Sequence, residues 1–193
     1  MGETQHIAVV ERLADVLDGL GIAYAIGGSM ASSAYGTLRF TQDADITVQS
    51  FSQAAGRFYD LIKEEFYISE QAMRQALDRH GSFNIIHFET GFKIDIFVQR
   101  PSEFERRLLE RRRTAKLSDE SGRELSIVSP EDIVLLKLRW FKETDCTSER
   151  QWNDVLGVLR VQGESLDFEY LTDSAKELGL EELLERARAE ADT

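Results

Sequence analysis

The chain has 193 residues, of which 42% are hydrophobic and 30% charged, and its formal net charge is −12. This composition is typical of a globular protein and excludes a disordered chain, and the length allows one domain or one domain with a helical appendage. The acidic balance excludes extensive phosphate contacts with nucleic acid unless a local basic patch supplies them. No apolar run approaches the ~20 residues that span a bilayer, the N-terminus has no secretory pattern, and the single Cys146 excludes an internal disulfide. We therefore expect a cytoplasmic protein without membrane contact.

One basic stretch could supply a local patch despite the acidic total. Its members are Arg106, Arg107, Arg111, Arg112, Arg113 and Lys116. Acidic residues interleave with them at Glu103, Glu105 and Glu110. The interleaving favours a solvated helix face, and the alternative is a docking patch for tRNA or another polyphosphate.

The first two thirds of the chain mix helix and strand patterns. Val10, Leu13 and Leu17 recur with the helical period, whereas Ala44 and Ile46 alternate with polar residues as in a half-buried strand. The predicted helices cover residues 6–20, 29–35, 51–66, 70–80 and 101–113. The predicted strands cover residues 22–26, 41–49, 81–88 and 92–99, with a turn at 120–122 and one more short strand after it.

From Ser129 onward every predicted element is a helix. Ser129 is a favourable cap, Pro130 suits the first helical position, and acidic residues follow in the first turn. The predicted helices here cover residues 129–142, 149–160, 167–178 and 180–189. We therefore predict a mixed core over residues 1–128 and a helical region over residues 129–193. The fold class is α+β, with a small mixed sheet flanked by helices.

The stretch Ile26-Gly27-Gly28-Ser29 is the most informative part of the sequence. It predicts a strand that ends in a tight glycine turn and opens a short helix. Glycines at such a turn let the backbone approach a phosphate, and the N-terminus of a helix favours negative charge. Gly27, Gly28 and Ser29 are therefore predicted to bind phosphate groups.

Two carboxylates follow on the next predicted strand. Asp43 and Asp45 are two residues apart, so both side chains point to the same face of the strand. Two carboxylates on one face, beside a phosphate-binding turn, suit Mg²⁺ or Mn²⁺ held together with the phosphates of a substrate. Farther along, Lys93, Asp95 and Phe97 share one face of another predicted strand, whose opposite face is apolar.

These residues resemble the nucleotidyltransferase superfamily of the polymerase-β type. The resemblance lies in Gly-Gly-Ser, a spacer of residues 30–42, and Asp-x-Asp, and the fuller pattern with Gly36 and Arg39-x-Thr41 resembles the bacterial branch that contains abortive-infection type toxins. This resemblance implies a nucleoside triphosphate such as ATP as substrate, with Asp43 and Asp45 as catalytic metal ligands. It also implies that Asp95 is the third catalytic acid, on a strand beside the other two.

The resemblance extends more loosely to the first C-terminal helices. Lys137 falls in the middle of an apolar stripe with Trp140, where an amine is costly unless it is paired or liganded. It is predicted to bind nucleotide phosphates and act in catalysis, with snorkelling or pairing with a core acid as the alternatives. In the toxin branch a helix with Arg-Asp-x-x-Asp follows, and here only Arg150 and Asp154 match. Asp154 stays a candidate beside a plain surface ion pair between the two residues.

The role of Arg39 is open between contact with the triphosphate and support of Asp45. The predicted activity is metal-dependent transfer of a nucleotidyl group from a nucleoside triphosphate to an acceptor hydroxyl. The acceptor could be RNA, a protein or a small molecule. Two alternatives remain: a non-catalytic module that binds nucleotide or a partner on the same fold, and the toxin of a toxin–antitoxin pair with an antitoxin-like partner protein.

Overall fold

The computed structural model describes residues 2–37, 41–117 and 122–191. These residues form nine α-helices and seven β-strands, which confirms the α+β fold class. Within these ranges, no helix combines the length and the apolar character needed to cross a bilayer.

The strands are short, and most coincide with predicted ones. Their bounds are β1 Tyr24–Ile26, β2 Asp43–Val48, β3 Phe66–Ile68, β4 Ser82–His87, β5 Lys93–Val98, β6 Arg113–Lys116 and β7 Glu124–Ile127. Each predicted helix is present, with ends that differ from the predicted positions by up to four residues. Their bounds are α1 Gly2–Gly19, α2 Gly28–Tyr35, α3 Ala55–Ile62, α4 Glu70–Arg79, α5 Glu103–Glu110, α6 Pro130–Glu143, α7 Glu149–Gln162, α8 Phe168–Leu178 and α9 Glu181–Ala191.

All seven strands belong to one mixed sheet in the order β3-β4-β5-β2-β1-β7-β6. The pairs β2–β5 and β1–β7 are parallel, and the other four pairs are antiparallel. The predicted hairpin is confirmed as β4 and β5. The register sets Asp45 opposite Asp95, so the strand expected to carry a third acid does lie beside the Asp-x-Asp strand.

The described residues pack into two compact units. The first holds the whole sheet, with residues 2–27, 41–117 and 122–127, and the second holds residues 28–37 and 128–191. In the first unit the sheet contributes Ile26, Ile46, Ile94 and Ile96 to the core, all fully buried. The predicted domain boundary at residue 128 stays a prediction.

The second unit is built on a close approach between α7 and the residues that follow α2. A Cβ atom added at Gly36 would lie 2.8 Å from the backbone nitrogen of Val158, and one added at Gly157 would lie 3.2 Å from the hydroxyl of Thr37. Glycine at both positions lets the two segments touch. Phe141 of α6 and Trp152 of α7 add a ring contact with centroids 5.0 Å apart.

Buried acids anchor the start of α6 within the same unit. Ser129 caps the helix as predicted, accepting a hydrogen bond from the Asp132 backbone nitrogen at 3.1 Å. Asp132 is fully buried and accepts a hydrogen bond of 2.6 Å from the Tyr170 hydroxyl. Glu131, also fully buried, accepts one of 3.1 Å from the Asp167 backbone nitrogen. The two acids therefore tie α6 to the start of α8.

Three sequence expectations differ from the structure. The predicted helix over 51–66 ends earlier, and its last residue starts β3; the predicted helix over 101–113 likewise ends before β6. The strands β3 and β6 are the two edge strands of the sheet, and each pairs with only one neighbouring strand. Trp140, predicted in the core, is 49% exposed because it lies at the margin of the apolar stripe of α6.

Candidate active site

Four charged side chains gather on one face of the paired strands β2 and β5. In the parallel register Asp43 lies opposite Lys93 and Asp45 lies opposite Asp95. Alternate residues of a strand point to the same face, so these four side chains share it. The apolar residues that alternate with them, Ala44, Ile46, Ile94 and Ile96, are buried on the opposite face. The apolar alternation therefore directs the four charges to the more open face.

Lys93 and Asp95 form an ion pair on that face. The distance between Lys93 Nζ and Asp95 Oδ2 is 2.7 Å, and the two side chains are 41% and 25% exposed. The pKa of Lys93 is raised, first by its hydrogen bond to Asp95 and then by the negative charges of Asp95, Asp43 and Asp45, against the opposing effect of burial. The negative charges of all three carboxylates therefore stabilise the charged form of the Lys93 amine.

Hydrogen bonds also hold the other two acidic residues in place. The Thr41 hydroxyl donates to the backbone carbonyl of Asp43 at 3.0 Å and lies 2.9 Å from its carboxylate oxygen Oδ1. The backbone nitrogen of Gly27, which directly follows β1, donates to the Asp45 carbonyl at 2.8 Å. Asp43 is exposed and Asp45 is half-buried. The first contact orients the Asp43 carboxylate, and the second fixes the backbone of Asp45 on β2, the strand predicted for both residues.

The donor chemistry of this face fits a divalent cation such as Mg²⁺ or Mn²⁺. Asp43, Asp45 and Asp95 supply hard carboxylate oxygens from adjacent strands, which is the ligand type these ions take. In the described part of the chain, no three His, Cys, Asp or Glu side chains form a ready-made metal-binding group. The residue types and their adjacent strands therefore suit the ion, whereas the three side chains as placed do not form a three-ligand site and Asp95 is paired with Lys93.

The predicted phosphate-binding residues lie at the junction of β1 and α2. Gly27 is buried in the first unit, and Gly28 begins α2 in the second. Gly28 has a φ of +55°, a left-handed conformation that glycine adopts at little cost. Ser29 is buried, and its carbonyl accepts a 3.1 Å hydrogen bond from the Ser32 hydroxyl. Their role in phosphate binding stays a prediction.

Arg39, which was predicted to contact the triphosphate or support Asp45, lies outside the described residues. Two members of the basic stretch near α5 pair with acids of the same helix. Arg106 pairs with Glu103 and Glu110, and Arg107 lies 3.8 Å from Glu103. For these two arginines the pattern matches the solvated helix face favoured by the sequence, whereas Arg113 and Lys116 lie on the edge strand β6 and Glu105 is buried.

Lys137 forms a second lysine–aspartate pair, within the second unit. Its Nζ lies 2.7 Å from Asp154 Oδ2, and the two side chains are only 6% and 9% exposed. The sequence placed Lys137 correctly inside an apolar face, and pairing with an acid was one of the alternatives. The expectation that Asp154 belongs to a surface pair was wrong, because α7 turns its carboxylate towards the buried amine. The catalytic role of Lys137 stays a prediction.

Lys93 lies on the candidate active-site face, although no functional role was predicted for it from the sequence. The signal was present, because Lys93 and Asp95 are two residues apart on one strand and so share a face. The register with β2, which brings Asp43 and Asp45 to the same place, could not be derived from the alternation alone.

Comparison with protein-family models and with curated proteins gives no match. Solved structures do match. The antibiotic-resistance factor ANT(2'')-Ia is 16% identical, with a TM-score of 0.59 over 100% of this chain and 97% of that one. An antigenic nucleotidyltransferase-like protein from Paracoccidioides brasiliensis is 17% identical, with a TM-score of 0.57 over 98% of this chain and 94% of that one. At such identities the likeness concerns the fold.

Proposed function

We propose that this chain, which has the nucleotidyltransferase fold, transfers a nucleotidyl group from a nucleoside triphosphate to an acceptor hydroxyl. The observation that carries the proposal is the acidic face of β2 and β5, where Asp43, Asp45 and Asp95 come from two adjacent parallel strands. Strands disfavour aspartate without a specific reason, and three on one face repel each other unless a cation lies near them.

The proposed reaction forms one bond and breaks one. The acceptor oxygen bonds to the α-phosphorus, the bond from that phosphorus to the bridging oxygen of the β-phosphate breaks, and pyrophosphate leaves with the bonding electrons. The acceptor proton passes to a base. A divalent cation, when bound by Asp43 and Asp45, would offset negative charge on the phosphoryl oxygens.

The proposal assigns a role in this reaction to six residues of the chain. Asp43 and Asp45 hold the cation, with Asp43 oriented by the neighbouring Thr41 hydroxyl. Asp95 either shares in binding the cation or accepts the proton from the acceptor hydroxyl. Gly27, Gly28 and Ser29 are proposed to bind the phosphates through the turn and the start of α2.

Two further assignments are part of the same proposal. Lys137, whose amine is nearly buried and paired with Asp154 within the second unit, stays a predicted nucleotide-binding and catalytic residue. The acidic chain favours a small molecule over RNA as the acceptor, since RNA would be repelled by a protein of net charge −12. The toxin role and an antitoxin-like partner stay predictions.

The test is a double variant with Asp43→Asn and Asp45→Asn, which keeps the side-chain shapes and removes two charges. Label transfer from α-³²P nucleoside triphosphates to fractions of a cell lysate and release of pyrophosphate are measured with Mg²⁺ or Mn²⁺. We expect a loss of at least about 100-fold, as for removal of a transition-state charge stabiliser. Asp60→Asn is the matched control, because Asp60 is a 67% exposed carboxylate of the first unit, paired with Lys63.

Equal turnover by the wild type and the double variant would overturn the proposal. Nucleotide binding by calorimetry without any pyrophosphate release would identify a non-catalytic nucleotide-binding module instead.

A further inference from the structure

We infer that Lys93 is a built-in counter-ion of the acidic face, which competes with a divalent cation for Asp95 and keeps the metal affinity of the nucleotide-free protein low. This inference rests on the proposed function and deepens it, because it assigns a role to a residue that does not itself bind metal. It predicts that the cation is retained well only when a nucleotide arrives with it.

The first support is the contact itself. The Lys93 ammonium lies 2.7 Å from Asp95 Oδ2, within the range of a charge-assisted hydrogen bond. A cation that takes Asp95 as a ligand needs the same oxygens, so the ammonium must give up at least part of this contact. Both side chains keep partial access to water, at 41% and 25% exposed, so an ion can reach them.

The second support is the arrangement of charge around Lys93. The register places Asp43 directly opposite Lys93 and sets Asp45 opposite Asp95. Among the described residues of this face, Lys93 therefore lies beside three negative side chains, and its charge offsets part of their mutual repulsion. With the lysine charge removed, this face would attract a divalent cation more strongly.

A surface ion pair elsewhere in the first unit shows how the surroundings of Lys93 differ from those of an ordinary paired lysine. Lys63 Nζ also lies 2.7 Å from a carboxylate, that of Asp60, and Lys63 is 40% exposed. Its partner is 67% exposed, three residues away at the end of one helix, whereas Asp95 is 25% exposed and lies on a face with two further aspartates. The two lysines match in contact and exposure and differ in the carboxylates around them.

The consequence concerns the order of binding. Magnesium ions in nucleotide-dependent sites are held by one or two carboxylates together with substrate phosphates. If Lys93 retains Asp95 in the free protein, the ion lacks this protein carboxylate until the triphosphate adds its oxygens. The competition would thus couple metal retention to the presence of substrate.

The test is a titration of the nucleotide-free protein with Mn²⁺, followed by the electron paramagnetic resonance signal of the free ion. Lys93→Met removes the charge and keeps most of the side-chain volume. We expect this variant to bind Mn²⁺ about fivefold more tightly than the wild type. This factor corresponds to the upper end of the interaction energies measured for exposed ion pairs. Lys93→Arg keeps the charge and should bind like the wild type. Lys63→Met is the matched control and should also be unchanged.

The outcomes separate this inference from the proposed function. If Lys93→Met binds Mn²⁺ no more tightly than the wild type, while Asp43→Asn weakens binding, the counter-ion role is overturned and the proposed metal site stands. Tighter binding by Lys63→Met to the same extent would also overturn it, because the effect would then come from net charge. If neither Asp43→Asn nor Lys93→Met changes Mn²⁺ binding, the metal site and the inference both fail.

Discussion

Among the lysine–aspartate pairs of the described residues, Lys93–Asp95 and Lys137–Asp154 have the same contact distance and very different surroundings. Lys93–Asp95 and Lys137–Asp154 both join an amine and a carboxylate at 2.7 Å. The first lies on a sheet face with its side chains 41% and 25% exposed, and the second lies between α6 and α7 with side chains 6% and 9% exposed. The comparison shows that the distance within an ion pair does not reveal what the pair does.

Burial separates the two pairs energetically. An exposed pair exchanges readily with water and other ions, and contributes about 0–1 kcal/mol to stability. Loss of one partner from a buried pair leaves an uncompensated charge away from water and costs about 3–5 kcal/mol. The pair on the sheet is therefore available to a ligand, whereas the pair between α6 and α7 holds the helices together.

The largest expected effect comes from breaking the buried pair. Asp154→Ala leaves the Lys137 amine without its 2.7 Å partner at a nearly buried position. We expect the free energy of unfolding to fall by about 3–5 kcal/mol, measured by urea denaturation followed by circular dichroism.

The matched control for that experiment is Asp95→Ala on the sheet face. Its expected cost is at most about 1 kcal/mol, because the partner Lys93 remains solvated. Equal costs for Asp154→Ala and Asp95→Ala would show that burial does not distinguish the two pairs, and the comparison would fail. The double variant Lys137→Met with Asp154→Leu should recover much of the lost stability, because no charge is then left buried.

A smaller effect is expected at the buried acid that begins α6. Tyr170→Phe removes the hydroxyl that donates to the fully buried Asp132 at 2.6 Å, while the ring is kept. The carboxylate loses a donor, so we expect a cost of about 1–3 kcal/mol in the free energy of unfolding. Tyr67→Phe, at a side chain that is 56% exposed, is the control and should change little. No difference between the two variants would show that Asp132 does not depend on this donor.

The smallest effect concerns pH and a third ion pair, again in the first unit. Arg12 contacts Glu65 at 2.6 Å, and both side chains are about 40% exposed. The Arg12 hydrogen bond holds the pKa of Glu65 below its usual value, with opposition from burial and further support from the Arg12 charge. A folded-state pKa below the unfolded one stabilises the protein above the unfolded pKa, and this contribution is lost as the pH falls through the folded pKa.

Glu65→Gln tests this sign directly. The variant should be slightly less stable than the wild type at pH 7, and the difference should shrink as the pH falls below the ordinary glutamate pKa of 4.5. Thermal unfolding of both proteins across that range is the measurement. A difference that grows on acidification would contradict the assignment of Glu65 as the carboxylate stabilised by Arg12.

The sequence predicted most elements and the core of the candidate site for a physical reason. Alternation in β2 and β5 decides which residues are buried, so it also decides that Asp43, Asp45 and Asp95 point away from the core. Local chemistry similarly predicted the start of α6 at Ser129 and Pro130. The edge strands β3 and β6 were missed, because three or four residues carry too little periodic pattern to be separated from a neighbouring helix.

By itself, the sequence determined the periodicities, the caps, the diglycine turn and the acidic composition, because these depend on residues close together in the chain. Only the tertiary structure decided that Lys137 pairs with Asp154 and that Lys93 lies opposite Asp43. Lys137 contacts Asp154 across 17 residues, and the parallel pairing of β2 with β5, two strands far apart in the sequence, sets Asp43 opposite Lys93. Such pairings depend on how whole helices and strands pack, and they cannot be predicted from the pattern of residues within one element.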